Sequence, residues 1–205
     1  MIEKQTTGSF FTNSYIISNS SNEAIIVDLG LSYLNTANYI KSKYDVKAIL
    51  LTHAHLDHID GLKYFLDLPI YLYKDELDVF LDDYKSLYKQ FLNIENPYKD
   101  KRLNFHLLND LEEFDLIGYH FKVFHTKGHT KGSVIYQMND NLFTGDTLFN
   151  MSVGRVDFPT GSEEDILKSI DFILNNFKDN YICYPGHGEN TTIGFEKKYN
   201  PYFKR

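Results

Sequence analysis

The sequence predicts an α/β fold in which two packed β-sheets are flanked by helices, and three observations lead there. Strand-like runs occur in both halves of the chain, helical patterns separate them, and no repeat, low-complexity run or Gly/Ser/Pro-rich linker divides the 205 residues. That length suits one ordinary domain with a well-buried core, so 1–205 is read as a single domain.

The elements follow in order. Two strands are expected around 10–17 and 24–28, the second ending in Asp28-Leu29-Gly30, a carboxylate at a strand end followed by a turn. A helix is expected over 33–44. The run 47–52 (KAILLT) is apolar and strand-like, and 61–66 resumes an apolar pattern at helical spacing. A short strand at 69–73 precedes a polar, aromatic region, 74–98, expected to be helical. From 105 onward the pattern is β-rich, with apolar alternation in 118–124, 133–138 and 141–144 and turns at 127–128 and 139–141. Ser162 is placed to cap a helix over 163–177, with Glu163, Glu164 and Asp165 in its first turn ahead of Ile166, Ile170 and Ile173. A buried strand at 180–184 closes the series.

Composition narrows the function. A hydrophobic share of 42% and a charged share of 24% describe a globular chain, and sixteen Tyr and sixteen Phe with no Trp supply much of its core volume. The net charge of −7, without any Lys/Arg stripe, argues against a nucleic-acid surface and for a small-molecule partner. The N-terminus lacks a basic region followed by a long apolar one, and no stretch approaches the roughly 18 apolar residues of a membrane span, so no membrane role and a cytoplasmic location are expected. Cys183, the only cysteine, lies in an apolar run and reads as a small core hydrophobe.

The most informative segment is 53–58, HAHLDH, which sets His53, His55, Asp57 and His58 on a strand-to-helix loop. In an extended loop residues two apart project to one side, so His53 and His55 converge on one ion. The adjacent Asp57 and His58 are expected to diverge, which favours two neighbouring ions. Three later segments each end a strand-like run with one more donor in a glycine-bearing turn: His129, Asp146 and His187. His106, His120 and His125 are read as non-ligands, and Asp28 as a hydrogen-bond partner that orients a ligand imidazole from behind.

With these residues in order, the chain resembles the metallo-β-lactamase-fold hydrolases, whose pattern is HxHxDH followed by a distant His, Asp and His. The resemblance implies a four-layered αββα sandwich of two mixed sheets. It assigns His53, His55 and His129 to one ion, Asp57, His58 and His187 to the other, and Asp146 to both. The segments 153–159 (VGRVDFP) and 192–202 (TIGFEKKYNPY) further resemble the small single-domain members of the glyoxalase II-like (hydroxyacylglutathione hydrolase-like) branch. Larger members carry a C-terminal helical domain that helps hold glutathione; here only 188–205 follows His187, and that domain is expected to be absent. Where those enzymes present Lys and Tyr to glutathione, this chain has Arg155 and Asp157. Arg155 is accordingly a candidate anchor for an anionic substrate, set against a purely structural pair with Asp157. Asp146 stands where many β-lactamases of the fold have Cys, so β-lactam hydrolysis is not the expected main activity.

Five imidazoles and two carboxylates suit two divalent ions, zinc foremost, with iron or manganese as alternatives. The expected reaction is hydrolysis of an anionic thioester or related ester by a metal-activated hydroxide, with Asp57 and Asp146 as the catalytic carboxylates. A mononuclear Fe(II) persulfide dioxygenase and a non-catalytic metal-binding protein remain as alternatives.

Overall fold

The computed structural model describes residues 1–203. Its first sheet runs in spatial order through β1 (Ile2–Thr7), β2 (Thr12–Ser18), β3 (Glu23–Val27), β4 (Asp45–Leu50), β5 (Ile70–Tyr73) and β6 (Phe105–Leu108). It is antiparallel from β1 to β3 and parallel from β3 to β6. The second sheet contains β7 (Glu113–Leu116), β8 (Tyr119–His125), β9 (Val134–Met138) and β10 (Asn141–Gly145). A small hairpin of β11 (Leu148–Phe149) and β12 (Ser152–Val153) follows, and then β13 (Ile182–Pro185) and β14 (Thr191–Thr192). The spatial order is β14-β13-β10-β9-β8-β7, mixed because β10 and β13 are parallel.

Period-two alternation sorts the apolar side chains into layers. Tyr15, Ile17, Ile25, Val27, Ala48 and Leu50 of the first sheet pack against Phe121, Val123, Val134, Tyr136 and Phe143 of the second. Their neighbours Ile16, Ile26 and Ile49 face the other way and meet α1 (Leu34–Lys43), α2 (Leu56–Ile59) and α3 (Leu77–Leu81) through Ala37, Ile40, Ile59 and Phe80. On the far side, Phe124, Ile135 and Leu142 meet α4 (Glu163–Asn176) and α5 (Ile193–Tyr199) through Ile166, Ile170, Ile173 and Ile193. The result is the expected αββα sandwich. Cys183 is buried in this last layer, where burial pushes its thiol up and away from thiolate chemistry.

Several element expectations hold and others need correction. The Ser162 hydroxyl accepts from the Asp165 N–H and starts α4 where expected. The opening strand begins at Thr12 rather than residue 10, because Phe11 has φ +55° and turns the chain through a bond from its N–H to the Gly8 carbonyl. β1 adds a strand that the apolar pattern does not predict, since IEKQTT has a single strongly apolar residue and is a half-buried edge strand.

The region 74–98 is not one helix. It holds a 3₁₀ turn (Lys74–Glu76), α3, and a π-helical turn (Tyr88–Leu92) bracketed by left-handed Leu87 and Asn93. Side chains there compete for the backbone: Asp82 accepts from the N–H groups of Tyr84 and Lys85, and Asp83 from that of Asn96. No helix among the described residues is long and apolar enough to cross a membrane.

Candidate metal centre

Because β4 lies parallel to β3 and β5, and β8, β10 and β13 share one direction, the segments leaving these strands meet at one edge of the sandwich. His53 and His55 leave β4, Asp57 and His58 form the first turn of α2, and His129, Asp146 and His187 follow β8, β10 and β13. All seven residues expected from the sequence converge there. His53, His55 and His129 form one group whose donor atoms lie within 4.8 Å of one another, and Asp57, His58 and His187 form another. Asp146 stands between them: Oδ1 lies 3.4 Å from His58 Nε2, and Oδ2 lies 3.5 Å from both His129 Nε2 and His187 Nε2. The expected divergence of Asp57 and His58 is not seen, since α2 starts at Leu56 and its first turn brings His58 Nε2 to 3.7 Å from Asp57 Oδ2.

Hydrogen bonds behind the rings fix which nitrogen faces the cluster. His58 Nδ1 donates to Asp28 Oδ2 at 2.8 Å, His129 Nδ1 to the Arg155 carbonyl at 2.7 Å, and His187 Nδ1 to the Phe10 carbonyl at 2.9 Å. The Thr52 hydroxyl spends its one proton on Asp28 Oδ2 at 2.7 Å, so at 3.2 Å it accepts from His53 Nδ1. Asp28 thus sets the tautomers of two imidazoles, one directly and one through Thr52, while its Oδ1 accepts from the Thr52 N–H. It does so from a left-handed backbone at φ +57°.

The inward-facing atoms have the character of ligands without a protein partner. His53 Nε2, His58 Nε2 and Asp146 Oδ1 are buried and make no hydrogen bond, although such a loss costs about 1–3 kcal/mol per group. The nitrogens His55 Nδ1 and His129 Nε2 face each other at 2.9 Å. Burial holds His53, His55 and His129 below the usual imidazole range, leaving neutral rings with free lone pairs. Burial also disfavours charge on His58 and His187, yet Asp146, Asp28 and Asp57 carry His58 well above its ordinary value, and Asp146 with Asp57 raises His187 to about 10. Against the same desolvation, His58 and His187 hold Asp57 down to about 2. The cluster therefore calls for positive charge at its centre, and its donor set fits divalent cations.

Two glycines make the approach possible. A Cβ on Gly186 would stand 2.2 Å from Asp146 Oδ1 and 2.6 Å from His58 Cε1. Gly145 has φ +48°, and a Cβ there would strike the Thr52 hydroxyl at 2.4 Å.

Some supporting residues have no signal in the sequence. Glu76, fully buried at the end of the 3₁₀ turn, accepts from the Ala54 N–H (2.8 Å), the Thr130 hydroxyl (2.9 Å) and the Gly132 N–H (2.9 Å). It ties the His53/His55 loop to the His129 loop, and burial lifts its carboxyl to about 7. Thr12 donates to Asp57 Oδ2 at 3.0 Å. A buried Glu and a strand-end Thr look ordinary until the fold brings them beside a ligand. His106 stacks on Tyr71, His125 stacks on Tyr73 and donates to the Lys131 carbonyl, and His120 pairs with Asp115. None of the three joins the cluster.

Above the cluster opens a cleft of about 340 Å³. Its walls are largely apolar and include Phe10, Leu87, Phe91, Phe149, Val153 and Phe158. Among the described lining residues outside the ligand cluster, Arg155 is the one cationic side chain. Its Nε and Nη2 each donate to Asp157 at 2.6 Å, and its guanidinium lies 3.9 Å from the centre of the Phe158 ring.

Residues 7–187 match the family model described as the metallo-beta-lactamase superfamily. Hydroxyacylglutathione hydrolase GloC of Haemophilus influenzae is 34% identical over 200 residues, covering 94% of this chain and 93% of the relative. Among solved structures, BLEG-1, described as a B3 metallo-beta-lactamase, superposes with a TM-score of 0.91 at 34% identity over 100% of both chains. TTHA1623, solved in a di-iron-bound form, gives 0.80 at 30% identity over 98% of this chain and 99% of the other.

Proposed function

The chain belongs to the metallo-beta-lactamase superfamily, and from that premise we propose a dinuclear hydrolase that cleaves a thioester or related ester. One observation carries the proposal: seven side chains present inward-facing donors, and three of the donor atoms are buried with no protein partner. His53, His55 and His129 would hold one ion, Asp57, His58 and His187 the second, and Asp146 both. Zinc, iron and manganese all suit this nitrogen and oxygen set, and the di-iron form of a relative keeps iron in view. Bound there, two ions would supply Lewis acidity and lower the pKa of a shared water toward about 7.

The chain's own residues do the rest. Asp28, Thr52 and the carbonyls of Phe10 and Arg155 keep four imidazoles in the tautomer that aims Nε2 inward. Asp57 and Asp146, both held ionised, would offset part of the charge of two bound ions, and the positive charge remaining would favour the oxyanion that develops on an acyl carbonyl. In the reaction the water oxygen forms the new bond to the acyl carbon and the C–S bond breaks. The thiolate departs with the electron pair, and the product acid gives its proton to solvent. A thiolate leaves without a strong general acid, which agrees with a cleft whose polar groups beyond the cluster are few.

The test is a substrate panel with metal-loaded protein. Hydrolysis of S-lactoylglutathione or simpler thioesters at rates well above lactones, phosphoesters and β-lactams is the expected result. A second reading, β-lactam hydrolysis, is favoured by the likeness to BLEG-1, and preferential turnover of a β-lactam would establish it instead. Oxygen consumption with a persulfide would favour the mononuclear dioxygenase, and no turnover of any class would favour a metal-binding protein.

A further inference from the structure

The walls of the cleft say more about the substrate than the floor does. Beyond the cluster, Phe10, Leu87, Phe91, Phe149, Val153 and Phe158 dominate the lining. Phe91 packs edge-on against Phe10 at 5.5 Å and against Phe158 at 5.6 Å, so three rings from separate parts of the chain form one continuous wall. The backbone is bent to build it. The π-helical turn carrying Phe91 is entered through Leu87 at φ +69° and left through Asn93 at φ +54°. A left-handed Leu is strained by contact of its Cβ with the backbone, and Leu87 sustains that strain while buried against the core.

Charge is scarce on this wall. Arg155 is held by both oxygens of Asp157, so a substrate carboxylate would have to displace an existing bidentate pair to use it. A polar acyl group laid against the rings would lose hydration without gaining a partner. An apolar acyl group loses nothing of the kind and gains about 0.8 kcal/mol for each methylene it buries.

We propose that the acyl group of the natural thioester is apolar, a medium-length alkyl or an aryl group, and lies along the Phe10–Phe91–Phe158 wall. The proposal rests on the thioester hydrolase reading. Its test uses metal-loaded full-length protein and a series of straight-chain acyl thioesters, acetyl to octanoyl, on one common thiol, with the lactoyl thioester of the same thiol beside them. Calorimetric titration with the matching non-hydrolysable thioethers reads binding independently of turnover. The expected result is a rise in kcat/KM of up to about fourfold per methylene, carried mainly in KM, with thioether affinity rising in parallel. Phe91→Ala, at a ring 43% exposed, should lower the octanoyl-to-acetyl ratio in both measurements, with the variant's melting temperature reading whether it folds. A flat series, or a preference for lactoyl over butanoyl, with thioesters still turned over, overturns the apolar assignment alone. Absence of turnover with every thioester, together with chain-length-independent thioether binding, overturns the assignment and the hydrolase reading together.

Discussion

A cluster of seven polar side chains, five of which line the cleft, makes its floor, and four of the cluster's five imidazoles are held from behind by a hydrogen bond. The walls, in contrast, are partly exposed aromatic rings that meet edge to edge and are fixed by no side-chain hydrogen bond of their own, with Phe158 resting on the core and under Arg155. The floor is over-determined, with Asp28 serving two ligands and Glu76 joining two loops, whereas the wall depends on a strained turn and edge-on ring contacts. The difference separates two jobs. A reaction centre needs each donor fixed to within a fraction of an ångström, while a pocket for an acyl chain needs only apolar surface of suitable shape. Changes to the floor should therefore cost chemistry and metal, and changes to the wall should shift preference among substrates.

The largest effect is expected at Asp146, the side chain within 3.5 Å of imidazoles from both groups. Asp146→Ala should abolish hydrolysis and weaken metal retention beyond the roughly 10–100-fold that loss of a supporting hydrogen bond costs such a site. Near wild-type turnover with two ions retained would show that the floor is not organised around this residue.

Glu76→Gln comes next. Glutamine offers one acceptor oxygen where three donors now find two, so about 1–3 kcal/mol of stability should be lost, or a few degrees in melting temperature. The pH dependence gives a sharper reading in metal-free protein. Burial raises the folded-state pKa from 4.5 to about 7, so the folded state holds this proton more tightly than the unfolded chain does. Glu76 then costs stability progressively as pH rises from 4.5 to about 7, and no further above it. The wild-type minus variant difference in stability should shrink or change sign over that window; a difference independent of pH would mean that Glu76 does not titrate there.

The smallest effect is expected at the wall's one cation. With its guanidinium already paired to Asp157 and both side chains exposed, Arg155→Ala should change KM by no more than a few-fold, and equally for anionic and neutral thioesters. A loss confined to anionic substrates would restore Arg155 as the anchor expected from sequence and weaken the apolar reading of the wall.

Floor and wall also differ in how far the sequence announces them. HAHLDH and the three glycine-flanked donors were legible because ligand chemistry permits few residue types and strand ends deliver them at one edge; Asp28 was legible as a carboxylate at a strand end. The four-layered αββα order followed from the family resemblance that the ligand motif carries, and two packed sheets flanked by helices were legible in strand-like runs from both halves with helical patterns between them. The wall was not, because Phe91 reaches the cleft only through a π-helical turn between two left-handed residues, and no propensity rule anticipates a left-handed Leu. Glu76 was illegible for another reason: its value lies in three donors brought to it from residues 54, 130 and 132 by the tertiary fold. β1 escaped because a half-buried edge strand carries too little apolar pattern to be seen.

The central claim is that the floor holds two ions which together support hydrolysis. Metal analysis of protein purified without added metal, followed by stepwise chelation with activity and melting temperature measured at each step, addresses it most directly. The account predicts about two divalent ions per chain, and thioester hydrolysis lost as they are removed. A falling melting temperature should accompany that loss, as His53 Nε2, His58 Nε2 and Asp146 Oδ1 are left buried without a partner and only His58 and His187 remain to offset Asp57 and Asp146. One ion per chain with full activity, or an unchanged melting temperature in verified metal-free protein, would contradict it.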